Sequence, residues 1–160
     1  MDIYANADPV NSLDVRTETE NSYTKRHQTP QHAVELVVFT DGWVCYQSSL
    51  YFISFEIKNW EESRTYCRNK GADLIIINNS EEQVSDFMLT LNYDSFWIGL
   101  NDRDVEDTWK WVDGSKMTSM FWRSSEPNGH TKENCALAYA SGWIDHGCHK
   151  EFKWICEKNI

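Results

Sequence analysis

The sequence has no apolar run able to cross a bilayer: the longest, Ala33 to Phe39, is interrupted by Glu35 and far short of the roughly 20 residues a membrane helix needs. The first 20 residues lack both a basic start and an apolar stretch, so no secretory leader is expected there. Basic residues are few, 15 Lys and Arg against 25 Asp and Glu, for a net charge of −10. That balance repels phosphate backbones and acidic lipid surfaces, which argues against nucleic acid as a partner and favours cations and neutral ligands. No Cys-x-x-C pair occurs among the five cysteines, at 45, 67, 135, 148 and 156, so a zinc ribbon is not expected. Five cysteines still exceed what a reducing compartment usually explains, and an odd number cannot all pair within one chain.

What the sequence does hold is large apolar surface. Hydrophobic residues make up 41% and aromatic residues 14%, with eight tryptophans, which is enough for a real core in the single domain that 160 residues allow. The first 40 residues contain no Cys, Trp or Gly and show neither the helical nor the strand period. Residues 1–41 are therefore expected to be a disordered acidic tail, and residues 42–160 the folded domain. Residues 1–40 carry three basic against six acidic side chains, a charge of −3 that leaves −7 of the total −10 on the rest.

From Gly42 onward, turn signals alternate with periodic runs. Asn59-Trp60-Glu61-Glu62 has the form of a capping box and Gly71 the form of a stop, which predicts a helix over 60–70 with Cys67 facing inward beside Trp60 and Arg64. Ser80-Glu81-Glu82-Gln83 opens a second helical run carrying Val84, Phe87, Met88 and Leu91. Strands are expected at Tyr51 to Phe55, Leu74 to Ile77, Phe96 to Leu100, Trp109 to Val112, Cys135 to Tyr139 and Phe152 to Glu157. The class is α+β: two helices early, antiparallel or mixed sheet late, and a long polar loop over 113–134. A loop of that length inside a compact domain usually carries function.

Oxygen-bearing side chains gather in and around that loop: Asp102, Asp104, Glu106, Asp107, Glu126, Asn128, Glu133, Asn134 and Asp145. Calcium takes six to eight oxygens from carboxylates, amides, carbonyls and water on loops that bend around it, so this set suits a hard cation; the competing reading is a solvated acidic face. An EF-hand is excluded, because the run from Asp102 to Asp107 lacks the Gly at its sixth position and the Glu at its twelfth. Glu126 and Glu133 do not read as the acid and base of a glycosidase, since both lie in one loop with no apolar pocket to raise a pKa.

The residues Trp97-Ile98-Gly99-Leu100, Trp109-Lys110-Trp111-Val112-Asp113-Gly114, Glu126-Pro127-Asn128, Glu133-Asn134-Cys135, Gly142-Trp143-Ile144-Asp145, Cys148 and Phe152-Lys153-Trp154-Ile155-Cys156 follow one another in an order that resembles the C-type lectin domain. The resemblance covers about residues 42–158 and is nearest to the mannose-type, dendritic-cell-type type II membrane receptors. It implies a calcium-binding double loop held by two disulfides, Cys67 with Cys156 and Cys135 with Cys148. It also implies a non-enzymatic function, calcium-dependent binding of glycans with mannose-like equatorial hydroxyls, signalled by Glu126-Pro127-Asn128. In the resembling sites each carboxylate or amide gives one oxygen to calcium and keeps another atom for the sugar hydroxyl.

Carried over residue by residue, the primary metal and sugar site is Glu126, Asn128, Glu133 and Asp145. The auxiliary metal site is Asp102, Glu106, Glu133 and Asn134. Three departures stand out: Ile144 occupies the place of an Asn that ligates both metal and sugar, Asn134 is neutral where the family usually has Asp, and Gly129 offers no side chain. The alternative function is therefore a lectin-like domain that has lost sugar binding and recognises a protein ligand. His130, beside the expected site, reads as an exposed residue. Cys45, left over from the two pairs, is either a free thiol or a link to another chain in a disulfide-bonded oligomer.

The resemblance places the lectin domain outside the cell or on the external face of the plasma membrane. In the resembling receptors an acidic cytoplasmic tail leads into a membrane helix. Here the sequence passes from His32 to Gly42 with no such helix, so membrane attachment is expected only through a segment absent from these residues.

Overall fold

A computed structural model of the chain describes residues 22–29, 32–46, 48–78, 95–118 and 120–160. The expected second helix, over Val84 to Leu91, and residues 1–21 of the expected tail lie outside the described residues. Within them, local signals and structure agree closely at helix α1, Trp60–Asn69. The Asn59 side chain accepts from the Glu62 N–H at 2.9 Å while the Glu62 carboxylate accepts from the Asn59 N–H at 3.4 Å, satisfying two end donors reciprocally. Gly71, at φ +71°, takes the left-handed conformation just past the helix end. Trp60 and Cys67 are fully buried on one face.

The strands are β1 (Ser22–Thr29), β2 (His32–Phe39), β3 (Trp43–Tyr46), β4 (Ser49–Ile53), β5 (Asp73–Leu74), β6 (Phe96–Asn101), β7 (Lys110–Trp111), β8 (Cys135–Tyr139), β9 (Gly142–His146) and β10 (Ile155–Asn159). They form a six-stranded sheet in the order β1-β2-β3-β4-β10-β5 and a four-stranded sheet in the order β7-β6-β8-β9, with antiparallel pairing throughout. The sequence pattern assigned no regular element to residues 22–39, yet β1 and β2 pair there in register from Ser22 with Phe39 to Thr29 with His32. The β-branched run Val37, Val38 and the aromatic Phe39 favour a strand that adds to the edge offered by β3. Strands β3 and β9 were likewise not expected, and β5 and β7 are shorter than the sequence pattern suggests.

Two apolar clusters fill the interior. One joins Tyr51, Ile75, Phe96, Ile98, Leu100, Trp109, Trp111 and Trp143; the other joins Trp43, Trp60, Leu74, Trp97, Leu137 and Trp154 around both disulfides. The pairings are Cys67 with Cys156 and Cys135 with Cys148, as the resemblance implied. Cys45 is free and half-exposed on β3. The sheets meet at Gly99, whose N–H donates to the Ile75 carbonyl at 2.8 Å. A Cβ on Gly99 would stand 2.8 Å from Val112 Cγ2 and 3.0 Å from the Leu74 carbonyl oxygen, so only glycine allows this approach.

Candidate functional site

The ligand-bearing loop is built over β9. Trp143 donates its N–H to the Phe121 carbonyl at 2.7 Å and accepts from the Arg123 N–H at 2.8 Å. Edge-to-face contacts of Trp143 with Trp111, Phe121 and Trp122 form an apolar floor under the loop. Strand alternation places Asp145 on the same face as Trp143, and its carboxylate, 3% exposed, reaches up into the loop. There it accepts the Asn128 N–H at 3.0 Å on each oxygen and the Gly129 N–H at 2.7 Å.

The Glu126-Pro127 peptide is cis, and the Asn128 amide donates to Glu126 Oε1 at 3.1 Å. Glu133 closes the group from the other side, with His146 Nδ1 3.3 Å from its Oε1. Gly129 is here for space: a Cβ would lie 2.1 Å from Glu133 Oε2 and 2.3 Å from Glu133 Cβ, a contact that turning the carboxylate alone does not relieve. Gly129→Ala is expected to cost about 1 to 3 kcal/mol of stability through overpacking. Chemical denaturation checks it, and an unchanged midpoint would show that Glu133 moves freely.

A second group lies beside the first. Turned so that its nitrogen donates, the Asn134 amide reaches Asp102 Oδ1 at 3.1 Å, Glu106 Oε2 at 3.2 Å and the His130 carbonyl at 3.0 Å. The Asp107 N–H donates to Asp102 Oδ2 at 2.9 Å. Asp102, Glu106, Asp107, His130, Glu133 and Asp145 together line a small cavity of about 10 Å³, room for one water or one ion. The structure thus joins Glu126, Asn128, Glu133 and Asp145 in one group and Asp102, Glu106 and Asn134 in an adjoining one, with Asp145 close enough to Asp102 to raise its pKa.

Burial, with the crowding of carboxylates added to it, sets the electrostatics of the loop. Burial, then the hydrogen-bonded Asp145 carboxyl and the Glu133 charge, push Glu126 up to about 7. The sequence had offered nothing to raise a pKa there; the fold buries the carboxyl, and the neighbouring acids add to the effect. Burial also raises Asp102, and burial with the Asp102 and Asp107 charges raises Glu106. Glu126 Oε2 and Glu106 Oε1 are buried acceptors without a hydrogen-bond partner. Oxygen donors held close against their mutual repulsion, two of them without a partner, suit a hard cation such as calcium.

The Lectin C-type domain family profile matches residues 56–158, more than half of the chain. The chain belongs to the C-type lectin family. A relative from Hylobates lar, C-type lectin domain family 4 member M, is 42% identical over 72% of this chain and 30% of its own length. The chain therefore spans about a third of the length of these curated relatives. Among solved structures, the mouse scavenger receptor C-type lectin carbohydrate-recognition domain is 34% identical with a TM-score of 0.69, over 75% of this chain and 95% of that domain. The cow CD23 carbohydrate-recognition domain, solved in the presence of a GlcNAc2Man3 oligosaccharide, is 31% identical with a TM-score of 0.68, over 75% of this chain and 95% of that one. Calcium and carbohydrate binding are typical of C-type lectin domains, which are not enzymes.

Within this lectin fold, Ile144 sits on the opposite face of β9 from Asp145 and packs against the apolar cluster around Leu137 and Trp97. Sequence reasoning kept Asp107 and His130 out of both ligand sets. His130 is exposed, as expected, but its ring, the Glu106 carboxylate and the Asp107 carboxylate offer ligand atoms within 4.8 Å of one another. The positive φ of Asp107 (63°) and His130 (48°), which turns both toward that point, leaves no mark in the sequence. The Glu-Pro-Asn signature and the spacing to Asp145 carried all the rest. Among the described residues no helix is long and apolar enough to cross a membrane.

Proposed function

We propose that residues 42–160 form a lectin domain that binds mannose-type glycans through calcium held by Glu126, Asn128, Glu133 and Asp145. Asp102, Glu106, Glu133 and Asn134 form the auxiliary metal site. The observation that carries this reading is the convergence of Glu126, Asn128 and Asp145 on one point, with Glu126 Oε2 left without a partner. Calcium there supplies a Lewis acid for two vicinal equatorial hydroxyls. The chain's own part is to aim acceptor oxygens and the Asn128 amide at those same hydroxyls. The buried Asp145 carboxylate holds the backbone of Asn128 and Gly129 in place.

Ile144 supports a second reading, recognition of a protein ligand, because it gives no oxygen to the metal and no amide to a sugar. A lost hydrogen bond to a charged group is worth about 1.5 to 3 kcal/mol, roughly ten- to a hundredfold in affinity. The two readings part on mannan resin. The glycan reading expects retention in calcium and release by chelator. No retention by the natural chain in calcium would leave the protein-binding reading standing.

The two disulfides fit an oxidising compartment, and we place the domain outside the cell or on the outer face of the plasma membrane. Its detection in conditioned medium and not in cytosol is the expected result. Cys45, free and half-exposed, would be the link in a disulfide-bonded oligomer.

A further inference from the structure

On the other side of the loop that runs from Asn101 to Thr108 lies a cleft with a volume of about 330 Å³. Its walls carry Arg64, Arg103 and Lys110 beside Asp104, and the two guanidiniums are paired at its edge with Asp73 and Glu61. Three cations meet here in a chain of net charge −10. Two of the cations converge on one ring: the guanidinium carbons of Arg64 and Arg103 lie 5.8 and 5.0 Å from the centre of the Trp60 indole. The indole is fully buried and fixed by its own N–H, which donates to the Ile98 carbonyl at 2.9 Å.

Each cation keeps donors to spare. Arg64 spends Nε and Nη2 on Asp73, at 3.1 and 3.2 Å, and Nη2 again on the Val112 carbonyl at 3.1 Å, which leaves Nη1. Arg103 spends Nη1 on Glu61, leaving Nε and Nη2. Lys110 makes no ion pair among the described residues. Asn101 uses its side-chain oxygen to accept the Arg103 N–H at 3.4 Å, so its amide nitrogen also remains, and the exposed Thr108 hydroxyl completes a lining rich in donors.

We propose that this cleft binds an acidic saccharide through its sulfate or carboxylate groups, without a metal ion. The volume admits one sugar ring with its substituents, and two guanidinium planes beside an ammonium match an oxyanion. Closeness to the candidate calcium site, across a single loop, favours a saccharide over an acidic peptide. This inference does not rest on the calcium reading, and the two fail separately: one is read on mannan in calcium, the other in chelator.

The test is calorimetric titration of the full chain in chelator at low salt with four probes: a heparin-derived tetrasaccharide, an oligogalacturonate of the same length, inorganic sulfate and mannotetraose. Binding of either acidic tetrasaccharide is expected, and which of them binds tells sulfate from carboxylate. Lys110→Gln should weaken it about fivefold, and Lys110→Gln with Arg103→Gln together about tenfold or more. Lys150→Gln, which removes the same charge away from the cleft, should leave it unchanged. Equal loss in the Lys150 variant would show nonspecific attraction and overturn the proposal. So would binding of mannotetraose or of sulfate alone as tight as that of the acidic tetrasaccharides, or no binding of either one. Thermal unfolding of each variant separates a lost contact from a lost fold.

Discussion

Replacing Cys67 and Cys156 together with alanine is expected to lower the unfolding temperature by about 10 to 18 °C. This bond closes a loop of 89 residues and ties α1 to β10, near the two ends of the folded domain. In the chain-entropy account, an open loop of that size adds roughly 4.6 kcal/mol of freedom to the unfolded state. For a chain of this length each kcal/mol moves the midpoint by about 2 to 4 °C. Cys135 with Cys148 spans only 13 residues, so its removal should cost roughly 3 kcal/mol and about 6 to 12 °C. Differential scanning calorimetry of the two double variants checks the order. Equal losses would mean that local contacts, and not loop length, set the contribution of these bonds.

Asp145→Ala should abolish retention on mannan at any calcium concentration and cost about 2 to 4 kcal/mol of stability. The side chain is nearly fully buried and is the shared acceptor for the backbone N–H groups of Asn128 and Gly129. Alanine removes both acceptor oxygens and leaves two donors in a half-buried loop, where an unmet donor costs about 1 to 3 kcal/mol. Asp145→Asn keeps one acceptor oxygen and should retain more stability than alanine while still losing a charged ligand. Hydrogen exchange gives a reading independent of any ligand: the amides of Asn128 and Gly129 should exchange faster in the alanine variant. Unchanged protection would show that Asp145 does not hold the loop.

The sequence disclosed most where chemistry is local. Asn59 and Glu62 cap a helix through bonds spanning three residues, and the aromatic run of β6 needs no partner to be read as a strand. That Glu126, Asn128, Glu133 and Asp145 lie together was legible because they follow a recognisable order in the sequence. What stayed hidden depends on distant partners. β9 is five residues whose identity as a strand comes from pairing with β8 and from its bonds to Phe121 and Arg123. The role of Gly129 is set by where Glu133 stands, and the raised pKa of Glu126 by its burial and by Asp145, 19 positions on. Hidden too was the cleft lined by Arg64, Arg103 and Lys110, since these are scattered along the sequence and the two arginines meet only over the Trp60 ring.

Gly99 has a mechanical consequence. Stacked sheets ordinarily face each other through a layer of side chains, which can slide by changing rotamers. At Gly99 that lubricating layer is missing, and main chain touches main chain through a hydrogen bond to Ile75. The Trp97 N–H adds a second tie, to the Lys153 carbonyl at 2.8 Å. These two ties weld the sheet that carries Asp145 to the sheet anchored by Cys156, so shear between them is blocked and any give on ligand binding is confined to the loop above β9.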